Sequence, residues 1–351
     1  MRNWRLLTVL AVAAGIAGYC FGRRVSHSAR PKSARPGPFP AEKLRAGRSR
    51  WAFLIEHSGT DLTERDIRAA APAELRSVPM EREAKAREGV LRFFNIAAAE
   101  FEPPGERELQ SRGRGLSAAD LKRVAALERA TWIALRIPSG PRARELLRAT
   151  EEMAVRLARA RHGFIWDAVT RELFTPEALE QRRLHPGALD VRDHVTIDVY
   201  GAAKLYRVVT RGMEKFGLPD LVVEQAANDE GVGQIVNLAA QLLVEGAGLS
   251  EDGKLELDLD ALSDPVIRNT MTGILLDGAM RKAEVTALAG RRGKRDPQND
   301  LLELWFGEPA QVKLAEVASR IWGSKNENNV SQPDGTAETA TETLPWAAAQ
   351  Y

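Results

Sequence analysis

The chain has 351 residues and a formal net charge of +2, with 44% hydrophobic and 28% charged residues. That length allows roughly two domains, and the composition is globular, with apolar material for a core and no overall field to attract nucleic acid. The single cysteine, Cys20, excludes an intramolecular disulfide and a cysteine-based zinc site.

Residues 1–24 are dominated by Leu6 to Gly22 (LLTVLAVAAGIAGYCFG), an uncharged run between Arg2 and Arg5 on one side and Arg23 and Arg24 on the other. Its length sits at the short end of a spanning helix and predicts a single-pass anchor in the cell membrane. Gly15 and Ala17 have the small side chains of a signal-peptide cleavage site, so a cleaved signal is the competing expectation. Residues 25–50 read as a basic, Pro-rich linker. From Arg23 to Arg50 there are nine Lys and Arg against one acid, Glu42. The positive-inside rule favours the cytoplasmic side for the body of the chain, and such a segment would be drawn to anionic lipid. At the other end, residues 324–351 are polar, rich in Asn, Thr and Glu, and are expected to be disordered.

Between these ends, strands and helices alternate. Residues 51–129 read as an N-terminal α/β region and 130–323 as a C-terminal α+β domain. Trp51 to Glu56 is a strand. Asp61 and Glu64 have capping-box spacing for a following helix. Val90 to Ile96 fits either a strand or a buried helical turn. Ser117 and Asp120 open a short helix, and Trp132 to Ile137 is a strand. Pro141 starts a helix to about Arg161, with Leu147, Thr150, Met153, Ala154 and Leu157 inward. Phe164 to Asp167 is a strand, and Thr175-Pro176 caps a short helix. His194 to Tyr200 alternates as a half-buried strand, with Val195, Ile197 and Val199 on one face and His194, Thr196 and Asp198 on the other. Ala203 to Phe216 carries a helical stripe that Gly217 would close in the left-handed conformation. Leu221 to Glu224 is a strand and Val232 to Glu245 a helix. Ser263 or Asp264 caps a helix, Ala283 to Leu288 and Leu301 to Phe306 are strands, and a last helix runs from Pro309 to Gly323.

Two strand–helix–strand units stand out, at 132–167 and 195–224. The alternation at His194 predicts a sheet with one face on helices and the other polar, since a fully buried parallel sheet would read as continuous apolar runs. The expected class is therefore α+β: open-faced mixed sheet layers with packed helices and ferredoxin-like βαβ units, preceded by one transmembrane helix.

No GxSxG, HExxH, P-loop or strand-linked GxGxxG motif is present. The strongest chemical constellation is His194 with Asp198 on one face of a strand, joined by His162 and Asp167 from a neighbouring one. A His/carboxylate set of this kind suits either a metal ion or acid–base catalysis. A solvated polar sheet face accounts for the same residues. His57, Ser58 and Asp61 are better read as turn and cap chemistry than as a triad. The basic loop at 291–295 lacks interleaved aromatics, which argues against nucleic acid. Nothing in the sequence calls for a cofactor.

Two stretches, Arg211 to Leu221 (RGMEKFGLPDL) and Asp296 to Phe306 (DPQNDLLELWF), resemble segments of uncharacterised bacterial α/β proteins. The resemblance spans about residues 130–323 and implies neither an activity nor a role for any residue. The functional expectation is thus a membrane-tethered binding or interaction protein with an unknown ligand or protein partner. The alternative is a metal-dependent or acid–base hydrolase using His194 and Asp198.

Overall fold

The computed structural model describes residues 36–82, 88–97, 100, 105–202, 205–226 and 230–324. The expected anchor at 6–22, the first part of the linker and the tail beyond residue 324 lie outside them. Thirteen strands form among the described residues: β1 (Arg48–His57), β2 (Met80–Glu81), β3 (Leu91–Ala97), β4 (Gly113–Arg114), β5 (Arg129–Pro138), β6 (Phe164–Asp167), β7 (Glu172–Phe174), β8 (Thr196–Ala202), β9 (Leu205–Arg211), β10 (Asp220–Ala226), β11 (Lys254–Asp258), β12 (Lys282–Ala289) and β13 (Leu301–Trp305). The α-helices are α1 (Glu64–Ala70), α2 (Ala73–Arg76), α3 (Glu106–Arg112), α4 (Ala118–Val124), α5 (Pro141–Ala160), α6 (Pro176–Arg183), α7 (Val191–His194), α8 (Glu230–Glu245), α9 (Pro265–Thr272) and α10 (Ala310–Trp322). The class is α+β, with two mixed sheets.

The first sheet has the order β2-β3-β5-β1-β6-β7-β4. Both β5 and β6 run antiparallel to β1, which lies between them. The unit β5–α5–β6 is thus a split strand–helix–strand crossover with β1 inserted. This pairing removes the expected boundary at residue 129/130, because the sheet takes its strands from both sides of it. Trp51, Phe53 and Ile55 face the main core, while Ala52 and Leu54 face a second cluster with Leu109 of α3 and Val124 of α4. The sheet is therefore covered on both faces rather than open on one. The unbroken apolar run WAFLI in β1 follows from this, since both of its faces are buried.

The second sheet has the order β11-β12-β13-β10-β9-β8. Here the expected polar face is present. Val195 is buried, and Ile197 and Val199 pack on the main core. On the other face only Val209, Val222 and Leu301 form a small cluster among the described residues, with Tyr200 against it. The expected helix at 203–216 is replaced, over its described residues 205–216, by strand β9, which pairs antiparallel with β8, and a short 3-10 turn, Met213–Phe216. The run Tyr-Arg-Val-Val-Thr-Arg alternates as well as it spaces helically, and its β-branched residues pack on a sheet. The second strand–helix–strand unit is accordingly a meander, β8-β9-β10. Gly217 does take the left-handed conformation (φ 70°), closing the 3-10 turn rather than a long helix.

Helix starts follow local chemistry. Ser117 and Asp120 form a capping box, as do Thr63 and Asp66, which displaces the expected Asp61/Glu64 pair. Thr175 and Asp264 cap helices whose first turns hold Pro176 and Pro265. The described part of the expected linker is docked rather than free. Phe39 and Leu44 are buried in the main core, and the Phe39 N–H donates to the Ala287 carbonyl at 3.0 Å. The Ala289 N–H donates to the Gly37 carbonyl at 2.9 Å and Arg45 donates to the Ala247 carbonyl at 2.9 Å, and these bonds also hold this stretch. That core is continuous, and holds the inward faces of both sheets with α5 and α8.

Candidate functional site

Helix α5 presents a mostly apolar stripe to the core, but Glu151 interrupts it and is fully buried. A buried carboxylate needs partners. The chain supplies Arg183 from the last turn of α6, which is enclosed completely. Arg183 Nη1 donates to Glu151 Oε1 at 3.2 Å and to Asp167 Oδ2 at 2.8 Å; Nη2 donates to Glu172 Oε2 at 3.2 Å, and Nε to the Asp193 carbonyl at 2.6 Å. Lys215, from the 3-10 turn, donates to Asp167 Oδ2 at 2.5 Å and to the main-chain carbonyl of His194 at 3.0 Å. Arg114 Nε completes Glu172 at 2.9 Å. The other oxygen of Asp167 accepts from the N–H groups of Val169 and Thr170 at 2.9 and 3.2 Å. The carboxylates of Asp167, Glu151 and Glu172 are thus set against the cations of Arg183, Lys215 and Arg114, with both oxygens of Asp167 satisfied.

His194 ends the one-turn helix α7, which Asp190 caps. Its ring meets Phe216 edge-on at 5.9 Å, and its Nδ1 lies 3.4 Å from Glu151 Oε1 without making a hydrogen bond. Glu151 Oε2 is also enclosed without a partner among the described residues. Residues Glu151 and His194 border a cavity of about 250 Å³ between α5, α6 and the loop at 185–190, with Oε2 and Nδ1 themselves enclosed behind its wall. Arg148 shapes its wall by donating to the Leu184 carbonyl at 2.6 Å, and Arg182 does so through the Arg192 carbonyl at 2.8 Å.

The charges set the protonation states. Burial opposes ionisation of Asp167, but Lys215 and Arg183 outweigh it and hold its carboxyl below the ordinary range. Burial also holds His194 below its usual value; Glu151 pulls the other way, while Arg183 and Lys215 act with burial. Burial raises Glu151, and the charges of His194, Arg183 and Lys215 bring it below its usual value. His194 contributes most to that lowering, followed by Arg183 and Lys215; burial lowers Lys215 itself. Behind the floor of the cavity lie an enclosed, unpaired carboxylate oxygen and an imidazole that burial holds toward its neutral form.

The residues singled out in the sequence end in different places. His194 and Asp167 meet at Lys215, one through its carbonyl and the other through its carboxylate. Asp198 lies on the polar face of the second sheet, where Arg112 and Arg211 hold its carboxylate, Arg211 at 3.1 Å. His162 sits in the exposed turn after α5, in the left-handed region at φ 50°. Among the described residues, no group of three or more His, Cys, Asp or Glu side chains is placed to hold a metal ion. His57 is buried with Nε2 3.2 Å from Thr131 Oγ1, while Asp61 pairs with Arg129. The basic loop wraps Asp296, which binds Arg207 at 2.5 Å.

Sequence reasoning misses Glu151, Glu172, Arg183 and Lys215. Glu151 carries a signal, an acid within the inward stripe of α5. Arg183 and Lys215 carry none, because each sits in a short charged stretch that reads as surface. No protein-family model, no curated protein and no solved structure matches this chain. The resemblance to uncharacterised bacterial proteins therefore rests on its two short stretches alone.

Proposed function

We propose that this chain is a membrane-tethered binding protein whose cavity at α5 takes a small molecule bearing a hydrogen-bond donor, a hydroxyl or an ammonium group. The supporting observation is that Glu151, whose enclosed Oε2 is unpaired, and His194 both border the cavity. A buried acceptor left unpaired costs about 1–3 kcal/mol, which a donor on a ligand recovers. Arg148, Arg182 and Arg183 are already committed to main-chain and carboxylate oxygens, which leaves Arg144, shared with a second cavity, as the cation on this wall that has N–H groups to spare. The tether in this reading is the uncharged segment at 6–22. Among the described residues no helix is long and apolar enough to cross a membrane.

The test is thermal unfolding of the full chain with glycerol, methylammonium and acetate at matched ionic strength. Methylammonium or glycerol should raise the midpoint and acetate should not. Ala188→Trp, at the exposed rim, should fill the cavity and abolish the effect while leaving the ion network intact. Equal responses in the parent and this variant would reject the reading.

An acid–base hydrolase using His194 and Asp198 is the second reading, and His194 at a cavity floor favours it. The carboxylate beside that imidazole, however, is Glu151, and Asp198 is occupied by two arginines.

A further inference from the structure

A second cavity, of about 310 Å³, lies where the N-terminus of α5 meets the C-terminal end of α8, and is bordered by Arg45, Ser49, Ser139, Gly140, Arg144 and Leu243. Among the described residues no acidic side chain lines it. Two features there are positive, and a third is a hydroxyl that can donate. The first is the helix end itself: α5 is 20 residues long, opens with Pro141, and has no side-chain cap. Pro141 has no N–H and the N–H groups of Ala143 and Arg144 donate to the Gly140 carbonyl at 3.0 and 3.3 Å, so the helix end contributes its partial positive charge rather than a row of free donors.

The second feature is the pair of arginines. Arg45 Nη2 donates to the Ala247 carbonyl at 2.9 Å, and Arg144 Nη1 to the Val244 carbonyl at 3.3 Å. These bonds fix the guanidinium groups and leave other N–H groups on each. Neither arginine forms an ion pair with a carboxylate among the described residues. The third is Ser49 on β1, which is fully buried and whose hydroxyl has no hydrogen-bond partner among the described residues. A buried hydroxyl without a partner is costly and is rare in a folded core. The wall beside it depends on Gly217, where a Cβ would come within 2.6 Å of Ser139 Cβ.

We propose that this second cavity binds an oxyanion of the phosphate class, either the free ion or the phosphoryl end of a small phosphomonoester, held by Arg45, Arg144 and the Ser49 hydroxyl beside the positive end of α5. The site is distinct from the donor-binding cavity but shares one wall residue with it. Arg144 borders both cavities, so the variants that separate them are Arg45→Gln and Ser49→Ala.

The experiment titrates the full chain with inorganic phosphate and, in a second arm, glycerol 3-phosphate, in a phosphate-free buffer of constant ionic strength, followed by calorimetry or amide NMR shifts. Saturable binding in either arm is expected, the tighter arm identifying the free ion or the ester as the better ligand. Ser49→Ala should weaken it about ten-fold or more, as for a hydrogen bond lost to a charged group. It should also leave the ligand-free midpoint of thermal unfolding unchanged or raised, because it removes an unpaired buried hydroxyl. Arg45→Gln should weaken binding further. Absence of saturable binding in both arms would overturn the proposal. So would equal affinity of the parent and Ser49→Ala, a variant that keeps the test informative even if Arg45→Gln does not fold.

Discussion

Strands β1 and β6 carry a nearly inaccessible acid at opposite ends of their pairing, and the two acids behave in opposite ways. Asp167, opposite Phe53, meets Lys215, Arg183 and two main-chain N–H groups, and is held ionised. Glu56, opposite Phe164, lies on the face that holds Ala130 and Val124; its Oε1 has no partner among the described residues, and burial pushes its pKa to about 8. Enclosure is the same at both ends, so partners alone decide whether a buried carboxyl keeps its charge. Glu151 stands between these extremes. It is ionised like Asp167, yet keeps one oxygen unpaired like Glu56, and it is the acid that lines a cavity.

The largest effect should come from removing the shared partner. Arg183→Met strands Asp167, Glu151 and Glu172 together and should cost about 3–5 kcal/mol, read from urea unfolding at pH 7. A cost below about 1 kcal/mol would show that the network is solvated and that the contrast with Glu56 is false. Next is Glu56→Met, which should stabilise. Between pH 4.5 and about 8 the unfolded chain releases a proton that folded Glu56 keeps, so stability falls as pH rises through that window. The variant should flatten this slope and gain about 1–3 kcal/mol at pH 8. Asp167 has the opposite sign. Its folded pKa is depressed, so its contribution is complete above its unfolded value of about 3.9 and is lost as pH falls below it. Acid unfolding of the Glu56→Met protein should retain this limb unchanged. The smallest effect is expected at Asp198, whose carboxylate is partly exposed on the sheet face between Arg112 and Arg211. Asp198→Asn should cost about 1 kcal/mol or less, and a loss comparable to Arg183→Met would put the functional charge cluster there instead.

The first sheet is largely legible in the sequence, because β1, β5, α5 and β6 each show one dominant pattern: a continuous apolar run, a Pro-led amphipathic helix, a second apolar run. The second sheet is legible only in part. The alternation of Val195, Ile197 and Val199 places its core face and its polar face, but the stretch 205–211 fits both a helical and an alternating period, and only pairing with β8 and β10 selects the strand. The site is the least legible. His194 and Asp167 can be singled out by residue type, but their partners arrive from α5, α6 and the 3-10 turn, and no spacing along the chain brings Arg183 and Lys215 to one carboxylate.

The free oxygen of Glu151 is the feature on which the proposed function depends, and its side-chain carboxyl carbon can be followed by NMR. In the full chain, titration with methylammonium or glycerol should shift the Glu151 carboxyl signal saturably, with His194 ring signals moving in step. Acetate should leave both in place, and Ala188→Trp should abolish the response. A Glu151 signal that stays unmoved by both donor-bearing probes in the folded protein, or that moves equally in the Ala188→Trp variant, would contradict a ligand site at this cavity.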